Sequence, residues 1–191
     1  MRILGIDPGL NVTGYGIIED PLTPLGMVRP SINSGSNPEL CRRVRGMVST
    51  SNHKDFKLVE AGVIRTQANT PIQTRIKKIF DEISAIVKEY RPDVLVLEKI
   101  YSHYRHPTTT ILMGHARAMA CLVCGNFNVR LVNYPSTRIK KAVTGNGHAS
   151  KLQVQRMVQN LLHLKRAPEP LDVSDALAMA ISYCYIEKSN R

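Results

Sequence analysis

Acidic side chains are in short supply in this sequence: 15 Asp plus Glu stand against 26 Lys plus Arg in 191 residues, a formal charge of +11. An imbalance of that size points to a polyanionic partner, with a membrane surface as the weaker alternative. Long apolar runs are missing too. No stretch approaches the roughly 20 residues that a spanning helix needs, and the first residues lack the basic-then-apolar pattern of a secretory signal. A soluble, cytoplasmic protein with no membrane partner is expected. Cysteine is sparse: Cys41, Cys121, Cys124 and Cys184 do not form the dense framework of a small secreted domain and are expected to be free thiols. Cys121-Leu-Val-Cys124 lies in an apolar stretch with no second such pair, so it reads as buried small hydrophobes rather than a zinc or redox motif. The segment Gly145 to His148 has no Walker A pattern, which leaves nucleotide hydrolysis without support.

The remaining sequence fits one compact α/β domain spanning 1–191. Arg2 to Asp7 is strand-like, Pro8-Gly9 breaks it, and Gly14 to Ile18 returns as a second strand of a hairpin. A third strand is expected over Lys57 to Arg65. Thr70-Pro71 predicts an N-cap followed by proline in the first turn, and Ile72, Ile76, Ile79, Ile83 and Ile86 recur at helical spacing to about Tyr90. Arg91-Pro92-Asp93 then leads into a buried strand, Val94 to Glu98, whose position after a helix suggests a crossover onto the existing sheet. Later elements are a helix from about Pro107 to Cys124, a short strand at Val129 to Val132, a helix from Pro135-Ser136-Thr137 through Val143, one capped by Ser150 running to about Leu164, and a last helix from Asp172 to about Ile186. Residues 20–56, rich in Pro, Ser, Asn and Gly and carrying Arg42, Arg43 and Arg45, show no sustained period and read as an insertion between the second and third strands.

Against this background the few acids that end buried segments carry the chemistry. Asp7 closes one strand and Glu98 another. A buried, unpaired carboxylate is costly; a divalent cation or a salt bridge to one of the many basic residues would compensate. Asp172 and Asp175, three apart, share one face at the start of a largely apolar helix. Complementing the positive end of the helix dipole would by itself explain them. If the first and fourth strands are neighbours, Asp7 and Glu98 stand side by side, and the helix starting at Asp172 closes over them. Converging carboxylates beside a basic surface suit Mg²⁺, a hard ion that takes oxygen ligands and retains exchangeable waters. Two such ions per site serve phosphodiester hydrolysis, with Mn²⁺ as an alternative metal.

Ile3-Leu-Gly-Ile-Asp-Pro-Gly9 with Val12-Thr-Gly-Tyr-Gly16, Val96-Leu-Glu98, Gly114-His-Ala-Arg117, Val143-Thr-Gly-Asn-Gly147 with Lys151, and Asp172-Val-Ser-Asp-Ala-Leu-Ala178 together resemble the RuvC-type Holliday junction resolvases. The segments occur in the family's order and span nearly the whole chain outside 20–56. The resemblance implies a ribonuclease H-like mixed five-stranded sheet flanked by helices, a homodimer, and paired symmetric nicks across a four-way DNA junction in recombination and repair. It also implies a branch-migration helicase as partner. By the same resemblance Asp7, Glu98, Asp172 and Asp175 are the metal-binding acids, Lys151 lies near the scissile phosphate, Lys140 supports DNA binding, and Tyr101 packs against junction bases. Two cuts in symmetry-related strands also suit the two identical sites of a C2 dimer.

Around these, Tyr101-Ser-His-Tyr-Arg105-His106 interleaves aromatic and basic groups, as stacking on unpaired bases with phosphate contacts requires; an ordinary polar loop is the plainer reading. Arg138, Lys140 and Lys141 on one helix, and Lys151 and Arg156 on the next, are expected to bracket the acids and receive phosphates. Gly145-Asn-Gly147 reads as a hinge able to bring Lys151 to the substrate. His103, His106 and His115 have no carboxylate or cysteine at a familiar ligand spacing and are not expected to bind metal. Three other functions compete. An actin-like ATPase shares Gly5-Ile-Asp-Pro-Gly9 but needs a second domain, a related nuclease would act on RNA, and a non-catalytic protein would bind junctions through charge alone.

Overall fold

The computed structural model describes residues 1–20, 56–100 and 107–189. The described chain runs β1 (Arg2–Asp7), β2 (Val12–Glu19), β3 (Lys57–Arg65), α1 (Ile72–Tyr90), β4 (Val94–Glu98), α2 (Pro107–Phe127), β5 (Arg130–Tyr134), α3 (Ser136–Thr144), α4 (Lys151–Leu161) and α5 (Leu171–Ser189). The strands form a mixed five-stranded sheet in the order β3-β2-β1-β4-β5, as expected. The hairpin is antiparallel, with Asp7 opposite Gly14, and β4 joins β1 in parallel, with Ile6 beside Leu97. The insertion at 20–56 and the Tyr101 to His106 segment, Arg105 included, fall almost wholly outside the described residues.

Alternation along the strands divides the core in two. Leu4, Ile6, Leu95 and Leu97 pack with Ile79, Ile83, Ala116 and Ala120 under α1 and α2. Ile3, Val94 and Val96 face the other way, into Val173, Leu177 and Ile181 of α5 and, beyond it, Val143 and Val158 of α3 and α4. Each such buried Val, Leu or Ile side chain stabilises the fold by about 1.5–3 kcal/mol. By the same parity Asp7, two after Gly5, and Glu98, two after Val96, belong to the α5 face.

That face is unusual in having almost no side chain where α5 crosses it. A Cβ on Gly5 would lie 1.9 Å from the Ala176 carbonyl oxygen, one on Gly14 would lie 2.2 Å from that of Asp172, and one on Gly16 would lie 2.5 Å from the Leu177 side chain. These glycines form a trough in the β1–β2 hairpin that lets the helix backbone touch the sheet.

Several element ends differ from expectation. Pro71, not Thr70, occupies the α1 N-cap, with no side-chain cap; the Thr70 hydroxyl instead donates to the Gln67 carbonyl at 2.8 Å. The α2 helix continues to Phe127 and β5 to Tyr134, because the helix ends only where Asn128 takes a left-handed φ of 52°. The α4 helix stops at Leu161, followed by His163 at φ 50°. Of the cysteines, Cys121, Cys124 and Cys184 are free thiols; Cys124 and Cys184 are buried and Cys121 is partly so. Among the described residues no helix is long and apolar enough to cross a membrane.

Candidate active site

Parallel pairing of β1 with β4 puts the ends of both strands together, one residue beyond the Ile6–Leu97 pair. Asp7 and Glu98 therefore leave the sheet side by side, on the face that α5 covers. The Gly14 contact brings the Asp172 backbone directly over the residue paired with Asp7, and Asp175 follows one turn later on α5. The capping box of α4, in which Ser150 N–H donates to Gln153 Oε1 at 2.7 Å and Gln153 N–H to Ser150 Oγ at 3.2 Å, makes Lys151 the first helical residue. From there its ammonium donates to Asp175 Oδ2 at 2.8 Å.

The electrostatics follow from this crowding. The Asp7 carboxyl is pushed from its ordinary 3.8 to about 7, first by burial, then by Asp175, with Asp172 and Glu98 adding to the effect and Lys151 opposing it. Burial, followed by Asp175, also raises Glu98, against a hydrogen bond from Ser136 and the charges of Lys140 and Lys151. The hydrogen bond to Asp175 raises the Lys151 ammonium; burial opposes that rise, while Asp175, Asp7 and Asp172 reinforce it by charge. Glu98, Asp172 and Asp175 thus all act on Asp7, and Asp175 acts on Glu98 as well. Among the described residues no three His, Cys, Asp or Glu side chains are already close enough to hold a metal ion; here the Lys151 ammonium supplies the positive charge. Such half-exposed lysine–carboxylate pairs contribute about 1 kcal/mol or less, so a doubly charged cation would displace this one readily. The donor set, carboxylate oxygens around a half-buried Asp7 crowded by like charge, fits a hard divalent ion.

Three supporting groups were given no role from the sequence, although Arg117 belongs to one of the segments that carry the resemblance. Ser136 opens α3 and hydrogen-bonds Glu98. Arg117, the lone cation in the apolar middle of α2, donates to the Glu98 carbonyl at 2.5 Å and to Asn133 Oδ1, tying the ends of β4 and β5 together. Buried Arg75 donates to Thr66 Oγ1 at 3.0 Å and to Asn11 Oδ1, clamping the turn that follows Asp7. A charged residue inside an apolar helical stretch was the available signal for Arg117; Arg75, between Gln73-Thr74 and Lys77-Lys78, offered none.

Within the Gly145-Asn-Gly147 segment, Gly145, at φ 79°, terminates α3 in the left-handed region, with its N–H on the Lys141 carbonyl, and Lys151 beyond it reaches Asp175. One expectation needs correction. The basic residues of α3 do not all bracket the acids. Lys140 acts on Glu98, whereas Arg138 and Lys141 line a separate cleft with Gly145 to His148. His115 is exposed on α2, in no metal-binding group.

Known proteins resemble this chain. The family profile described as "Crossover junction endodeoxyribonuclease RuvC" matches residues 34–183. The chain belongs to this family. A relative of the same name from Rhodopirellula baltica is 40% identical over 182 residues, 95% of this chain and 84% of its own length. Another from Caldicellulosiruptor saccharolyticus is 33% identical over 190 residues, covering 100% of this chain, Asp7 included, and 95% of its own length. The RuvC structure from Thermus thermophilus superposes with a TM-score of 0.76 over 100% of this chain and 97% of that one at 24% identity. The same protein in complex with a Holliday junction substrate gives 0.77 over 100% of this chain and 96% of that one, also at 24%. These two likenesses establish the shared RuvC-type fold.

Proposed function

We propose that this chain is a metal-dependent endodeoxyribonuclease that resolves Holliday junctions by paired, symmetric nicks, as a single nuclease domain over 1–191 with an insertion at about 20–56. The observation that carries the reading is the convergence of Glu98, Asp172 and Asp175, from two distant parts of the sequence, on an Asp7 whose proton is held to about pH 7 by burial and by these three. Asp7, Glu98, Asp172 and Asp175 are the ligands of Mg²⁺ in this reading, two ions per site, with Mn²⁺ as a substitute; when bound, the metal supplies an activated water and charge stabilisation of the leaving oxygen. Lys151, released from Asp175, donates to a non-bridging oxygen of the scissile phosphate and stabilises the charge that develops there. Lys140, Arg138 and Lys141 bind the DNA backbone, and Tyr101 and Arg105 meet the junction centre.

The homodimer draws support from α2. Ile111 and Leu122 are 61% and 49% exposed, and at about 100° per residue they lie on one stripe with His115, Ala118 and Gly125. An uncovered apolar stripe with small residues at its centre suits close packing of two helices about a two-fold axis. A branch-migration motor as partner and a cytoplasmic location rest on family membership alone.

A synthetic four-way junction with Mg²⁺ tests the function. Two symmetric nicks, lost in Asp7→Asn while binding persists, support it. Binding without nicking by the wild type favours a purely architectural protein, and equal cutting of plain duplex or RNA favours a general nuclease.

A further inference from the structure

Two adjoining clefts flank the turn between α3 and α4. One, of about 580 Å³, is lined by Arg138, Lys141 and His148; the other, of about 240 Å³, by Arg156 and Asn160. Asn146 lines both, so the two meet across the α3–α4 turn. Among the described residues neither is lined by an acidic side chain.

Helix geometry separates this groove from the site. On α3, Ser136 and Lys140 address Glu98, and at about 100° per residue Arg138 and Lys141 point roughly 120° to 180° away from that edge. On α4, Lys151 addresses Asp175, while Arg156 and Asn160 stand roughly 140° and 180° round from it. The groove is preformed. Its turn is held by His148 N–H on Asn146 Oδ1 at 2.9 Å, by Asn146 N–H on Thr144 Oγ1 at 3.2 Å, and by the close seat of Gly147, where a Cβ would come within 3.1 Å of the Thr137 carbonyl oxygen. The Arg138 guanidinium is steadied over the Tyr134 ring at 5.3 Å from its centroid. A small anion would call for donors converging on one buried point; here exposed cations are strung along a continuous open track, the arrangement that follows a polyanionic backbone.

We propose that Arg138 and Lys141, assigned above to the DNA backbone, act together with Arg156 along this groove and hold the phosphate backbone of a junction arm beyond the cut. The proposal rests on the nuclease reading for its substrate, but its test is scored without cutting. Affinity is measured in chelator for the wild type and for Arg156→Gln combined with Lys141→Gln, on junctions with long arms and on junctions whose arms are trimmed close to the crossover. The wild type should prefer long arms. The double variant should lose most of that preference, with a log-affinity against log-salt slope shallower by about 0.9 for each phosphate no longer neutralised, on long arms only. Arg156→Lys, which keeps the charge, should retain it. Equal losses on both junctions, an intact preference in the double variant, or no preference in the wild type would overturn the groove. A wild type that shows the arm preference yet never nicks in Mg²⁺ sinks the nuclease reading and leaves the groove standing.

Discussion

The two ends of the β1–β4 pair make opposite use of carboxylates. At one end Asp93, entering β4, accepts the Arg2 backbone N–H at 2.8 Å, and the Arg2 guanidinium donates to the Tyr90 carbonyl at 3.0 Å. Charge there is interleaved and hydrogen-bonded, as is usual for polar groups at the edge of a core. At the other end Asp7 and Glu98 leave the same two strands facing more acids, and Asp7 is driven to about 7. A carboxylate at a strand end is ordinary; one whose neighbours are further carboxylates is costly to fold around, and a cation relieves that cost.

Exchanging the two ends is the strongest way to break the comparison. Asp7→Asn should lower the rate of junction nicking by at least about a hundredfold, the scale of losing a principal electrostatic element of a site. Asp93→Asn, which keeps an acceptor for the Arg2 N–H, should leave nicking unchanged and cost about 1 kcal/mol of stability or less. Strand-specific cleavage kinetics and denaturant melts read both. Next in size is the trough. Gly14→Ala places a methyl on the Asp172 carbonyl and should destabilise the fold by about 1–3 kcal/mol while slowing nicking, because the α5 start must lift. The smallest effect on stability is expected from Lys151→Met. Its ion pair with Asp175 is more than half exposed on the lysine side, so the melt should shift by less than about 1 kcal/mol, yet nicking should fall about tenfold to a hundredfold, the size of losing one general electrostatic or acid–base group.

Much of this arrangement was legible in the residues. Apolar runs mark all five strands, and a strand that follows a helix suggests the parallel crossover that makes Asp7 and Glu98 neighbours. Parity along β1 and β4 then puts both acids on one face. The i, i+3 spacing of Asp172 and Asp175 was visible but ambiguous, since the helix dipole explains it equally well; only the seat of α5 in the Gly5–Gly14–Gly16 trough decides, and a contact between backbone atoms leaves no periodic signal. Gly14 and Gly16 read simply as strand residues. The opposed faces of α3 escaped for a different reason. Arg138, Lys140 and Lys141 are close in sequence and alike in charge, and only the location of Glu98 tells which of them look toward it. Thr70 misled because a hydroxyl before proline resembles a cap, while the local Gln67 carbonyl competes for that hydroxyl.

The central claim, that the four acids form one cation-binding cluster, is tested most directly by following stability against pH with and without Mg²⁺. In chelator the unfolded chain releases the Asp7 proton near 3.8 and the folded chain holds it to about 7. The raised folded value means that stability falls as pH rises through that window, by at most about 4 kcal/mol, and levels off above it. The account predicts that millimolar Mg²⁺ raises the Tm of the wild type at pH 8 but not at pH 5, and that Asp7→Asn has a shallower chelator slope and no Mg²⁺ response. A wild-type Tm at pH 8 that is the same in Mg²⁺ and in chelator would contradict it.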